Sequence, residues 1–159
     1  MKLNSSIKTG FSFGLTSGVI TTLGLMVGLM SGTHSRLAVI GGVVTIAIAD
    51  ALSDSLGMHI SQESDNHTKK EVWQATLSTF VFKFLFAFTF LAPVLFLELT
   101  TAVLVSIIWG MALLAILSYA IAKAEKEHPI KIISEHLFIA MVVIIATYFV
   151  GIVVGAVFV

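Results

Sequence analysis

Asp50 and Asp54 stand four residues apart in a run that is otherwise almost wholly apolar. At helical spacing they share a face, about one turn from each other. Two bare carboxylates that close in a low dielectric repel. A divalent cation relieves the repulsion, and protons can replace it when it leaves. Carboxylate oxygens, with Ser53, Ser55 and carbonyl groups, suit hard or borderline ions such as Mn²⁺ or Fe²⁺. Two readings are open: the pair handles ions or protons, or it is a structural network capped by serines or by Lys83. Met58 and His59 follow, then Glu63, Asp65 and His67. They form either a graded entrance to the carboxylate pair or a solvated helix end.

Lys83 is the other charge set among apolar residues. It either pairs with an aspartate, standing in for the cation when the site is empty, or snorkels to the membrane face. Counting the helical rise inward from Val72 puts Lys83 about 16 Å deep, and counting from Gln62 puts Asp54 about 12 Å and Asp50 about 18 Å deep. Glu98, beyond Pro93, is either an exit ligand or an interfacial charge. There is no cysteine, so disulfides, thiolate metal sites and cysteine nucleophiles are excluded. No phosphate loop, nucleophile triad or zinc-binding helix motif is present, and an enzyme is not expected.

The elements that position these residues are membrane spans. Of 159 residues, 57% are hydrophobic and only 11% charged, and the mean hydropathy is +1.03. A soluble domain carries about 25% charged residues, so the chain lacks the polar groups to cover a water-facing surface. Nine basic residues balance nine acidic ones, which leaves no net field to attract nucleic acid.

A helix crosses the hydrocarbon in about 20 residues. Five runs qualify: 11–30, 37–60, 72–97, 101–122 and 137–159. They are continuous rather than alternating, which excludes barrel strands. The chain is therefore expected to be one all-α, polytopic transmembrane domain of five helices in a lipid bilayer. The first run is too long for a signal peptide and lacks a cleavage pattern. Its connections are short: His34 and Arg36, then Gln62 to Glu71, Glu98 to Thr100, and Lys123 to His136.

Orientation follows from the basic residues. Lys2, Lys8, Lys69, Lys70, Lys123, Lys126 and Lys131 fall on one side of a five-span chain, and Arg36 alone on the other. That split puts the amino terminus in the cytoplasm and the carboxyl terminus outside. Trp73 sits at the cytoplasmic boundary as an anchor, and Trp109 reads as packing. The phenylalanines at 80, 82, 84, 86, 88 and 90 read as lipid-facing bulk with no chemical role.

The first run carries two glycine trios, Gly10, Gly14, Gly18 and Gly24, Gly28, Gly32. Each makes a smooth stripe for a close backbone neighbour. Six residues separate Gly18 from Gly24, so the stripes face different ways and the helix should be enclosed on two sides. The stripes serve plain helix packing, or one of them, at Gly14 and Gly18 or at Gly24 and Gly28, is a homodimer interface. Gly151 and Gly155 repeat the spacing in the fifth run.

Three segments resemble the vacuolar iron transporter family: Phe13-Gly-Leu-Thr-Ser-Gly-Val-Ile-Thr-Thr-Leu-Gly-Leu-Met-Val-Gly28 its first helix, Ala49-Asp-Ala-Leu-Ser-Asp-Ser-Leu-Gly-Met-His59 its second, and Thr147-Tyr-Phe-Val-Gly151 its last. The resemblance implies five helices, a cytoplasmic amino terminus, a homodimer with the ion path near its interface, and export of Fe²⁺ or Mn²⁺ from the cytosol against protons, with no permanent cofactor. The chain departs from that family in four places. Ser17 stands where the family has an aspartate, Asp50 where it has a glycine and Asp54 where it has a methionine. The cytoplasmic metal-binding domain between helices two and three is reduced to Gln62 to Glu71. A carboxylate has thus moved from helix one to helix two and a soft sulfur ligand is gone, which leans toward a harder ion. The other readings are a helical membrane protein without transport activity and a translocator of protons or a monovalent ion.

Overall fold

The computed structural model describes residues 5–158. Among these, every element is an α-helix: α1 (Ser5–Thr33), α2 (Arg36–Ser64), α3 (Lys69–Thr89), α4 (Leu91–Phe96), α5 (Leu99–Glu125) and α6 (Pro129–Phe158). Five helical stretches are long and apolar enough to cross a membrane, with α3 and α4 together forming the third. The all-α, five-span architecture expected from the sequence is therefore observed. The helices overrun the apolar runs at their ends. α2 continues to Ser64, and the second connection shrinks to Asp65–Thr68. Polar residues prolong a helix freely once it leaves the hydrocarbon, because water satisfies its outer face.

Local chemistry sets the helix ends. The Ser35 hydroxyl accepts the Ala38 N–H at the start of α2. Thr68 and Glu71 form a reciprocal capping box at the start of α3. The third span breaks near Phe90 because Pro93 has no N–H for the Thr89 carbonyl and its ring crowds that carbonyl. Lys126, with φ 60°, ends α5 in the left-handed conformation, three residues before Pro129.

α1 is the central helix. It packs against α2, α3, α5 and α6, and half of its most apolar stretch is buried, against 17% for α6. Its glycines explain the contacts. A Cβ on Gly14 would sit 2.7 Å from the Thr79 carbonyl oxygen, and one on Gly18 would sit 3.3 Å from Lys83 Cγ. The first stripe is thus closed by α3. A Cβ on Gly32 would lie 2.8 Å from the Gly151 carbonyl oxygen, and Gly24 and Gly28 meet Val143 and Thr147. The second stripe meets α6, whose Gly151 and Gly155 answer it. Plain helix packing thus accounts for Gly14 and Gly18, which α3 covers, whereas α6 packs along one side of Gly24 and Gly28 and their other side lines an open groove.

The phenylalanine reading needs correction. Phe82 and Phe86 meet Phe11 of α1 edge-on, with ring centroids at 4.7 and 6.3 Å. Phe90 is fully buried in the core. Phe80, Phe84 and Phe88 contact one another in a half-buried ladder along another face of α3. Alternating positions advance 200° around a helix, so half of them return to the bundle.

Candidate cation site

The polar centre is built where α1, α2 and α3 meet. The smooth Gly14–Gly18 face of α1 lets the α3 backbone approach closely, and this brings Lys83 inward. Its side chain is 1% exposed. Lys83 Nζ lies 2.6 Å from Asp50 Oδ2 and is also ion-paired with Asp54 Oδ2. It donates to Ser17 Oγ at 2.9 Å. The Ser17 hydroxyl donates to Asp54 Oδ2 at 2.6 Å. The Thr21 hydroxyl lies 2.9 Å from Asp50 Oδ2 and 2.8 Å from the Ser17 carbonyl oxygen, sharing its one proton between them.

Two carboxylates thus converge on one cation, with two hydroxyls of α1 completing the ring. Asp50 and Asp54 remain 26% and 23% exposed on the flank of the bundle. Charged groups at membrane depth ordinarily face protein or a water-filled cavity. Formally the cluster holds two negative charges against one positive. The arrangement is a cation-binding geometry in which an internal ammonium already sits.

The remaining residues of interest fall elsewhere. Ser53 is exposed and outside the cluster. Ser55 is buried, but its hydroxyl donates to the Leu52 carbonyl. Met58 continues the Asp50–Asp54 stripe by one turn and is half-buried. His59 faces α3, with Nδ1 3.0 Å from Thr76 Oγ1 and Nε2 3.6 Å from Glu63 Oε1. Asp65 caps α2 and is exposed. His67 lies 3.9 Å from Glu71 on the surface. Glu98 is exposed at the opposite end of the bundle, where Thr101 Oγ1 donates to it at 3.3 Å. It is remote from the aspartates and is not part of the cluster. Lys2 lies outside the described residues.

Thr21 is the site residue that sequence reasoning missed. Its signal was available: it stands four residues after Ser17, on the same face of α1. Hydroxyls in membrane helices usually bond their own backbone, which hid it among the other threonines. A second polar contact joins α5 to α6, where Ser118 Oγ meets His136 Nδ1 at 2.7 Å.

A bundle of five helices long and apolar enough to cross a membrane defines a multi-pass membrane protein, and on its flank paired carboxylates hold an internal ammonium. The VIT family pattern matches residues 64–152, more than half of the 159. The chain belongs to the VIT family, a family of membrane transporters and the vacuolar iron transporter family that its motifs resemble. No curated protein matches it. The matched stretch contains Lys83 and the last helices. Ser17, Thr21, Asp50 and Asp54 lie before it, so their role rests on their own geometry.

Proposed function

We propose that this protein exports a divalent transition metal, Mn²⁺ or Fe²⁺, from the cytosol in exchange for protons. The observation that carries the reading is the convergence of Asp50 and Asp54 on one buried cation at membrane depth. The Lys83 ammonium occupies the place a substrate cation would take. An arriving metal competes for the same two carboxylates, and Ser17 and Thr21 add neutral oxygens. This all-oxygen donor set suits Mn²⁺ at least as well as Fe²⁺. Protons compete with metal for carboxylates, so metal binding strengthens as pH rises. A proton gradient directed into the cytosol then drives release on the far side.

The basic-residue bias supports placing the lysine-rich end in the cytoplasm. Accessibility tags at the two chain ends should report opposite faces; two cytoplasmic ends would remove this orientation. The exposure of Asp50 and Asp54 supports a homodimer whose second copy covers them. A groove of about 490 Å³ between α1, α2 and α6 begins at Thr21 and runs past Gly24, Gly28 and Ile46 to Thr33 and Val154. Its smooth apolar wall fits a helix of a second copy.

The deciding experiment is flux into proteoliposomes with Mn²⁺, Fe²⁺, Co²⁺, Zn²⁺ and Na⁺ under set pH gradients. Asp50→Asn and Asp54→Asn keep the shape and remove one charge each. Each should cut metal flux at least tenfold while the protein stays folded. Normal flux in both variants would leave the cluster as a structural ion-pair network. The joint engagement of Lys83 with both aspartates is the one feature favouring that second reading. Na⁺ or proton flux without metal flux would instead assign the site to a monovalent ion.

A further inference from the structure

A second metal position lies on the α2–α3 seam, closer to the lysine-rich end. The Thr76 hydroxyl donates to the Val72 carbonyl oxygen at 2.7 Å. Its only proton is therefore committed, and toward His59 it acts as an acceptor. The 3.0 Å contact is then best satisfied as a donation from His59 Nδ1–H to Thr76 Oγ1. That bond favours the tautomer with the Nε2 lone pair free in the neutral ring. Nε2 points toward Glu63 Oε1 at 3.6 Å, too far for a hydrogen bond. With metal–donor bonds of about 2.1 Å, a tetrahedral angle separates an imidazole nitrogen from a carboxylate oxygen by roughly 3.4 Å. The gap has the width of an inserted ion.

The surroundings suit a transient ligand. His59 and Glu63 open on a crevice of about 190 Å³ shared with Lys69, Val72 and Trp73. His59 is 19% exposed and Glu63 64%. Among the described residues no three His, Asp or Glu side chains converge as a metal cage. Two protein donors therefore leave the other coordination positions to water, and the nearby Lys69 charge weakens binding further. Thr76 lies on the same face of α3 as Lys83, seven residues or about 10 Å away.

We propose that His59 Nε2 and Glu63 form a weak capture site for borderline divalent metals, its imidazole held in the binding tautomer by Thr76. Its role as the entrance to the Asp50–Asp54 site rests on the transport reading above; its metal binding does not. Imidazole selects against Mg²⁺ and Ca²⁺, which the all-oxygen inner site discriminates less well.

Trp73 reports the site, because its ring centroid is 4.9 Å from that of His59. In a Trp109→Phe background, Co²⁺ titrated into the detergent-purified protein should quench Trp73 fluorescence saturably, and Mg²⁺ should not. His59→Gln and Glu63→Gln should each raise the half-saturating Co²⁺ at least tenfold. Thr76→Val, which keeps both donors and frees the ring, should raise it severalfold. This effect is one that a purely structural hydroxyl would not produce in protein of unchanged helicity. Asp50→Asn/Asp54→Asn should leave the quench intact. Linear, unsaturable quenching, or saturation unchanged by both His59→Gln and Glu63→Gln, overturns the proposal. Abolished flux in the aspartate variants beside an unaltered quench separates this site from the transport reading.

Discussion

Replacing Lys83 with methionine separates a competitor from a strut. The ammonium is 1% exposed, lies 2.6 Å from Asp50 Oδ2, contacts Asp54, and donates to Ser17 at 2.9 Å. Removing one partner of a buried ion pair costs about 3–5 kcal/mol, because it strands the opposite charge. A metal entering the native site must break the same contacts. Taking the lower figure of about 3 kcal/mol, and 1.4 kcal/mol per tenfold, Lys83→Met should tighten Mn²⁺ binding roughly 100-fold. The metal-free variant should melt earlier than the parent, and Mn²⁺ should restore its stability. Lys83→Arg retains the charge and should bind Mn²⁺ no better than the parent. The assay is equilibrium Mn²⁺ binding followed by electron paramagnetic resonance, with melting curves on the same samples at fixed pH. Turnover should fall in Lys83→Met although binding improves, because protons alone must then displace a more tightly held ion. If Lys83→Met folds but binds Mn²⁺ no more tightly, Lys83 is not a competitor and the displacement argument fails.

Three further outcomes follow from the packing and the caps. Gly14→Leu and Gly32→Leu should destabilise the folded protomer itself, since backbone oxygens stand 2.7 and 2.8 Å from the sites of their Cβ atoms; Gly41→Ala and Gly57→Ala, inside α2 with nothing within 4 Å, should melt no lower than the parent. The chain has no cysteine, so a single Ile46→Cys or Leu25→Cys in the α1–α2–α6 groove should give a disulfide-linked dimer under mild oxidation, and persistent monomer would place the second copy elsewhere. The Thr68 hydroxyl and then the Thr68 backbone N–H hold the Glu71 carboxyl below its ordinary range. That contribution to the α3 cap is complete above the ordinary carboxylate value and is lost as pH falls through the depressed one. A carboxyl-carbon NMR titration should show Thr68→Ala moving Glu71 back toward 4.5.

Much of the architecture is written in the one-dimensional pattern. Five spans, their short connections and the two glycine faces of α1 need only run length, helical rise and the absence of side chains at fixed spacing. The Asp50–Asp54 pair is equally visible, because a shared helical face is a property of sequence spacing alone. What spacing could not decide is which face meets which helix. Similar depth put Lys83 near the aspartates, yet a snorkelling lysine has the same depth; only the close approach of α3 to Gly14 and Gly18 turns it inward. Ser53 and Ser55 looked like neighbours of the aspartates, but one is exposed and the other bonds its own backbone. Thr21 enters the cluster because the α1–α2 contact brings it to Asp50. The glycine stripes announced close contact but not its partner, since a bare helix surface accepts a helix of the same chain or of another equally well. Tertiary packing assigned them to α3 and α6 and left the aspartate flank open. The sequence thus determined the spans and the charges held within them. Three-dimensional packing determined which charges meet, because that depends on helix rotation and crossing, which contacts distant in sequence impose.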